Sequence, residues 1–162
     1  MRRNNSEIQF LRVLLILSMG LMPFVMTKRP RKEWWFIYFF NAITNIILDK
    51  ILTRMGLVSY PIRLLPKIFK IHILFDTVLY PLANVIYIQI TKRDHIFAIM
   101  YKMLFFSIPL VVVESWAVRN TRLIKWGNGW KGYHTFVSVT LKSLFIRIVV
   151  VKIIRRFSDS RH

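Results

Sequence analysis

No cysteine occurs in the 162 residues, which removes disulfides, thiolate nucleophiles and Cys-ligated zinc together. Acid is nearly as scarce, with 7 Asp and Glu against 25 Lys and Arg. Glycine is rare as well, at 5 residues, and none of them build a phosphate-cradling loop. No nucleophile–base pair and no paired-carboxylate motif can be named. Nothing here signals an enzyme, and no cofactor is implied.

What the chain has in abundance is apolar residues. They make up 55% of it, aromatics 15%, and the mean hydropathy is +0.44. A water-soluble domain scatters such residues at amphipathic spacing, whereas these come in runs of about 20, the length a helix needs to cross about 30 Å of hydrocarbon. The expected fold is an all-α membrane protein, a bundle of four to five transmembrane helices with short basic loops, forming a single domain over 1–162. The hydrophobic segments are placed at 13–26, 34–52, 71–90, 96–118 and 135–154. The first is the shortest. It has Arg12 at one end and Pro23 near the other, no small-x-small cleavage site follows it, and it reads as a retained thin crossing or an interfacial helix. Pro81 and Pro109 sit inside segments, where prolines kink membrane helices more often than they end them.

A net charge of +18 on a soluble protein would suggest nucleic acid. Lipid-grade hydrophobic runs argue against that partner. Basic segments flanking membrane helices pair instead with anionic lipid headgroups, at about 1 kcal/mol per Lys or Arg. The candidate headgroup-facing residues are Arg63, Lys67, Lys70, Arg122, Lys125, Trp126 and Trp130, with a membrane-protein partner or a second copy as further candidates.

Short connections make successive segments antiparallel. Residues 53–70 and 119–133 then share one face, and 27–33 and 91–95 the other. With five crossings the first face carries twelve cations and the second ten; with an interfacial first segment the first carries nine and the second thirteen, and the opposite loops face the cytoplasm. The positive-inside rule is nearly silent at such ratios. The lean is to a cytoplasmic N-terminus, because residues 50–70 and 119–133 hold nine cations and no acid.

Charged groups within the apolar segments are costly, about 2.5–3.5 kcal/mol for a central Asp. Asp49, His72, Asp76, Glu114, His134 and Lys142 fall in one leaflet by their positions along antiparallel helices. Asn41, Asn45 and Asp49 recur at i, i+4, i+8, as do Asp76, Tyr80 and Asn84, so each stripe is expected to face the bundle interior. Arg147 falls near mid-membrane and needs a partner. One reading is helix–helix glue with snorkelling. The other is a polar pocket open on one face, used by a small transporter or by a membrane enzyme acting on a phosphate-bearing lipid. An Asp76–Lys142 ion pair is expected from matching depths, with Glu114 as competitor. His72 and Asp76 at i, i+4, with Glu114 and His134 nearby, are of types that suit a divalent metal. That spacing is common by chance, so no metal is assigned.

Two stretches carry a resemblance: Phe75-Asp76-Thr77-Val78-Leu79-Tyr80-Pro81, and Glu114-Ser115-Trp116-Ala117 through Arg119-Asn120-Thr121, Ile124-Lys125-Trp126 and His134-Thr135-Phe136. They resemble an uncharacterised family of small multi-pass membrane proteins from endospore-forming Gram-positive bacteria, over about residues 32–157. The resemblance implies a bacterial plasma membrane and no activity.

Overall fold

The computed structural model describes residues 2–29, 31–62, 73–127 and 129–159. They form helices α1 (Arg2–Met26), α2 (Arg31–Arg54), α3 (Tyr80–Ile90), α4 (Ile96–Asn120) and α5 (Gly132–Asp159), with a π-helical turn at Phe75–Leu79 and two short strands, β1 (Val58–Ser59) and β2 (Lys125–Trp126). Three helices are long and apolar enough to cross a membrane: α1 from Asn5, α2 and α4. The α5 helix carries Lys142 and Arg147 in its apolar stretch, and the third segment is split between the π-turn and α3.

The molecule is apolar outside and polar within. Phe24, Phe97 and Phe105 are 75, 83 and 72% exposed, while Asn41, Asn84, Thr91, Ser107 and Ser143 are completely covered. Water would select the opposite arrangement. A surface of this kind is stable against lipid, where polar groups hydrogen-bond one another because hydrocarbon offers them no partner.

The first helix is longer than its apolar run suggests. It starts at Arg2 and continues through Arg12 and Pro23, which at about 1.5 Å per residue gives roughly 37 Å. Its Leu11 packs with Val58, Leu74, Ala117 and Leu123 at one end of the bundle, and its Val25 and Met26 pack with Trp34, Leu82 and Val85 at the other. Thus α1 runs along the bundle from end to end. Arg12 itself is exposed and Glu7 is buried, so the helix sorts its charges by face, which a count of uninterrupted apolar residues overlooks.

The loops after α2 and α4 pair with each other. The strands are antiparallel, Val58 opposite Trp126 and Ser59 opposite Lys125. The Ile62 amide donates to the Arg122 carbonyl at 3.2 Å and the Gly127 amide to the Leu57 carbonyl at 2.9 Å. The α2 helix ends in a Schellman cap: the Leu57 amide bonds the Leu52 carbonyl, the Gly56 amide bonds the Thr53 carbonyl, and Gly56 adopts φ 70. Leu52 and Leu57, brought together by that cap, both pack into the cluster around Leu11. Glu7 joins this face by accepting the Arg122 amide at 3.0 Å. The start of α1, the end of α2 and the end of α4 therefore meet at one end, hereafter the loop face. At the opposite face, ion pairs Glu33–Lys92 (3.9 Å) and Asp94–Lys102 (2.7 Å) join the chain turns.

A Cβ at Gly127 would lie 2.6 Å from the Gly56 carbonyl oxygen, a backbone atom that cannot swing aside. Gly127→Ala is expected to lower the thermal midpoint in mild detergent by prising the loops apart. Gly20→Ala, on α1 and facing open space, should leave it unchanged or raise it, since alanine is favoured over glycine in a helix by about 1 kcal/mol. Scanning fluorimetry of the two variants beside the wild type separates these outcomes.

Candidate functional site

Pro81 determines the local shape of the third segment. Its ring nitrogen has no hydrogen, so it cannot donate to the Thr77 carbonyl in an α-helix or to the Asp76 carbonyl in a π-helix. The Tyr80 amide bonds the Phe75 carbonyl, five residues back, and so does not serve Asp76 either. Pro81 thus offers neither carbonyl a donor, and α2 supplies one to each. Asn45 Nδ2 reaches the Asp76 oxygen at 3.1 Å, and the Tyr38 hydroxyl reaches the Thr77 oxygen at 2.6 Å. Tyr38, Asn41, Asn45 and Asp49 are all buried on that side of α2, which packs chiefly on α3 and the π-turn.

One turn further toward the loop face the same side of α2 presents Asp49. Its Oδ1 accepts the Tyr60 hydroxyl at 2.7 Å. Burial, and after it the Asp49 charge, pushes the Tyr60 phenol well above its ordinary value, so it stays a donor at neutral pH. Lys142 on α5 places its ammonium 4.5 Å above the Tyr80 ring, an arrangement favourable by about 2 kcal/mol where water is excluded. No ion pair joins Lys142 to a carboxylate among the described residues, so the Asp76–Lys142 bridge expected from depth is not formed.

Tyr80 donates to the Val139 carbonyl (3.2 Å) and lies 3.0 Å from the Ser143 hydroxyl. Asn84, fully buried, donates to the Tyr80 carbonyl at 3.3 Å. The Asp76–Tyr80–Asn84 stripe thus faces α2 and α5. Glu114 stands apart. Its Oε1 accepts the Trp126 indole N–H (2.9 Å) and the Thr135 hydroxyl (3.0 Å), while Thr135 Oγ1 accepts the Trp130 indole N–H at 3.0 Å. The two indole N–H groups, expected among headgroups, are turned inward because the buried acid needs donors. His134 Nδ1 accepts the Lys131 amide at 3.1 Å and its ring stacks on Trp130 at 5.2 Å, away from Asp76. Among the described residues no three His, Asp or Glu groups converge on a metal-sized space.

Arg147 lies toward the opposite face. It donates to the Thr91 hydroxyl and, at 2.6 Å, to the Thr91 carbonyl, so its partner is the C-terminus of α3, where the helix dipole and open carbonyls attract a cation. Arg122 and Lys125 are exposed on the loop face. His72, Arg63, Lys67 and Lys70 lie outside the described residues. Sequence reading missed Glu7, Tyr38 and Tyr60 as site residues. For Glu7 there was a signal, a lone acid amid the basic start of an apolar helix. The two tyrosines gave none beyond their proximity to Asn41 and Pro61. Comparison with protein-family profiles, curated proteins and solved structures finds no match.

Removing the Tyr38 hydroxyl strands the Thr77 carbonyl and should cost about 1–3 kcal/mol. In a Pro81→Ala background residue 81 regains an N–H, so Tyr38→Phe should cost distinctly less there. The double-mutant cycle, read by denaturation in detergent, tests this link. Additive losses would show that the phenol and the proline act independently.

Proposed function

We propose that this chain crosses a bacterial plasma membrane five times and serves as a structural or interaction component whose loop face lies against anionic headgroups. The course of α1 along the whole bundle supports a fifth crossing, and the antiparallel order of α2 to α5 supports the other four. The assignment to a bacterial membrane follows the family resemblance.

The observation that supports the lipid reading is how the charges of the loop face are used. On the loop face Lys50, Arg54, Arg119, Arg122, Lys125 and Lys131 are exposed, and none forms an ion pair among the described residues. The acids at that end, Glu7, Asp49 and Glu114, are engaged with an amide, a phenol and an indole with a hydroxyl. At the opposite face Glu33 and Asp94 pair with Lys92 and Lys102, while Lys28, Arg29, Arg31, Lys32 and Arg93 are exposed with no ion pair among the described residues. The loop face is thus a field of uncompensated cations, which draws phosphate-bearing lipid at about 1 kcal/mol per cation.

Because the chain has no native cysteine, sidedness can be read directly. Single Ser59→Cys and Lys125→Cys variants should react with an impermeant thiol reagent from one side of sealed vesicles. Arg93→Cys should react only from the other side, and Ser6→Cys from the same side as Ser59→Cys. Labelling of Ser6→Cys from the Arg93 side would remove α1 as a crossing. Reconstituted protein should also be stabilised more by anionic than by zwitterionic vesicles, and that difference should shrink in high salt.

A further inference from the structure

The outward face of α4 is graded along its length. Phe105, Ile108, Val112, Trp116 and Arg119 recur at intervals of three and four, so they share one side of the helix, and all are exposed. At about 1.5 Å per residue Arg119 stands roughly 21 Å from Phe105. That distance spans one leaflet of a hydrocarbon core about 30 Å thick and reaches its headgroup edge. At the loop-face end this side opens into a cavity of about 330 Å³, lined among the described residues by Val111, Val112, Ser115, Trp116, Arg119 and Asn120. The start of α5 packs beside it: a Cβ at Gly132 would lie 3.3 Å from Ser115 Oγ and 3.7 Å from Val111 Cγ1. The polar groups of the cavity are uncommitted. Arg119 forms no ion pair among the described residues. Ser18, Thr44, Thr77, Thr91 and Thr121 each donate to the carbonyl four residues back, which satisfies a hydroxyl inside hydrocarbon. The Ser115 hydroxyl makes no such bond, and neither it nor the Trp116 indole N–H has a hydrogen-bond partner among the described residues. Trp126 and Trp130, by contrast, turn their N–H groups inward to Glu114 and Thr135.

We propose that this groove binds one anionic phospholipid, with its phosphate on Arg119, its glycerol esters at the Ser115 hydroxyl and Trp116 indole, and one acyl chain along Val112, Ile108 and Phe105. The order of chemistry down the groove, from cation through hydrogen-bond donors to aliphatic side chains, is the order of a phospholipid from headgroup to chain. At this volume the cavity is at the small end of ligand sites. It holds the glycerol region and the top of a chain, and the remainder of the chain lies on the open stripe below. A net negative headgroup fits best because Arg122, Lys125 and Lys131 are also exposed on this face, and a zwitterionic lipid would bring a further cation into that field. The proposal rests on the reading of the loop face as headgroup-facing and deepens it. A field of scattered cations attracts many lipids weakly, whereas a groove with its own donors retains one.

Native mass spectrometry of the full chain in mild detergent, titrated with phosphatidylglycerol or with phosphatidylcholine of the same chains, tests it. The wild type should retain one phosphatidylglycerol in preference to phosphatidylcholine. Arg119→Gln should weaken that retention about tenfold or more, as loss of a charge-assisted hydrogen bond does. Val112→Trp fills the groove at an exposed position without changing charge, and should abolish retention. Lys125→Gln removes a cation of the same face outside the groove and should leave retention as in the wild type. All three variants should keep the wild-type thermal midpoint in lipid-free detergent, which separates loss of the site from loss of the fold. Retention that survives Val112→Trp, or that falls equally in Arg119→Gln and Lys125→Gln, would overturn the groove. The preference for anionic vesicles is measured separately. If it persists while the groove fails, the loop face still meets headgroups; if it is absent, both readings fall.

Discussion

Pro81 withholds a hydrogen bond donor in the middle of an apolar segment, and much of the interior is arranged around that deficit. Inside hydrocarbon an unpaired carbonyl costs several kcal/mol, and Pro81 offers no donor to those of Asp76 and Thr77. A soluble helix would hand them to water. Here α2 must lie against the π-turn and present Asn45 and Tyr38 at the right height. The register of α2 on the third segment is therefore set by hydrogen bonds, with apolar contacts such as Ile37 and Val85 filling the remaining volume. Once that register is fixed, Asp49 stands one turn beyond Asn45, and its Oδ1 accepts the hydroxyl of Tyr60, eleven residues on along the chain.

The two ends of the bundle use their acids differently. At the opposite face Glu33 and Asp94 pair with Lys92 and Lys102 across short turns, and Arg147 closes the end of α3 through Thr91. At the loop face Glu7, Asp49 and Glu114 are engaged inward with amide, phenol, hydroxyl and indole donors. Exposed cations stand at both ends. A count of Lys and Arg does not show how the acids are used, because it registers residues and not their engagement.

Much of the design was legible in the sequence. The apolar runs gave the helices, and the i, i+4, i+8 stripes of Asn41–Asn45–Asp49 and Asp76–Tyr80–Asn84 gave the inward-facing sides, because a helix fixes which residues share a face. What periodicity does not carry is which inward group meets which. Depth along a helix placed Asp76 near Lys142, yet no ion pair joins them and the ammonium lies over the Tyr80 ring. The pairing of β1 with β2, and the reach of Glu7 to residue 122, are long-range contacts with no local signature. The span of α1 was hidden by Arg12 and Pro23, both of which the helix accommodates.

The Tyr38 phenol caps the Thr77 carbonyl across the α2–π-turn contact, and the rest of the interior depends on that bond. Thr77–Val78 is the only Thr–Val peptide in the chain, so carbonyl-13C threonine combined with 15N valine isolates its resonance in a spectrum of the vesicle-embedded protein. The account predicts a carbonyl shift typical of a strong hydrogen bond, moving clearly toward the unbonded value in Tyr38→Phe while the helical carbonyls around it stay in place. A Thr77 carbonyl that does not respond to loss of the phenol would contradict it.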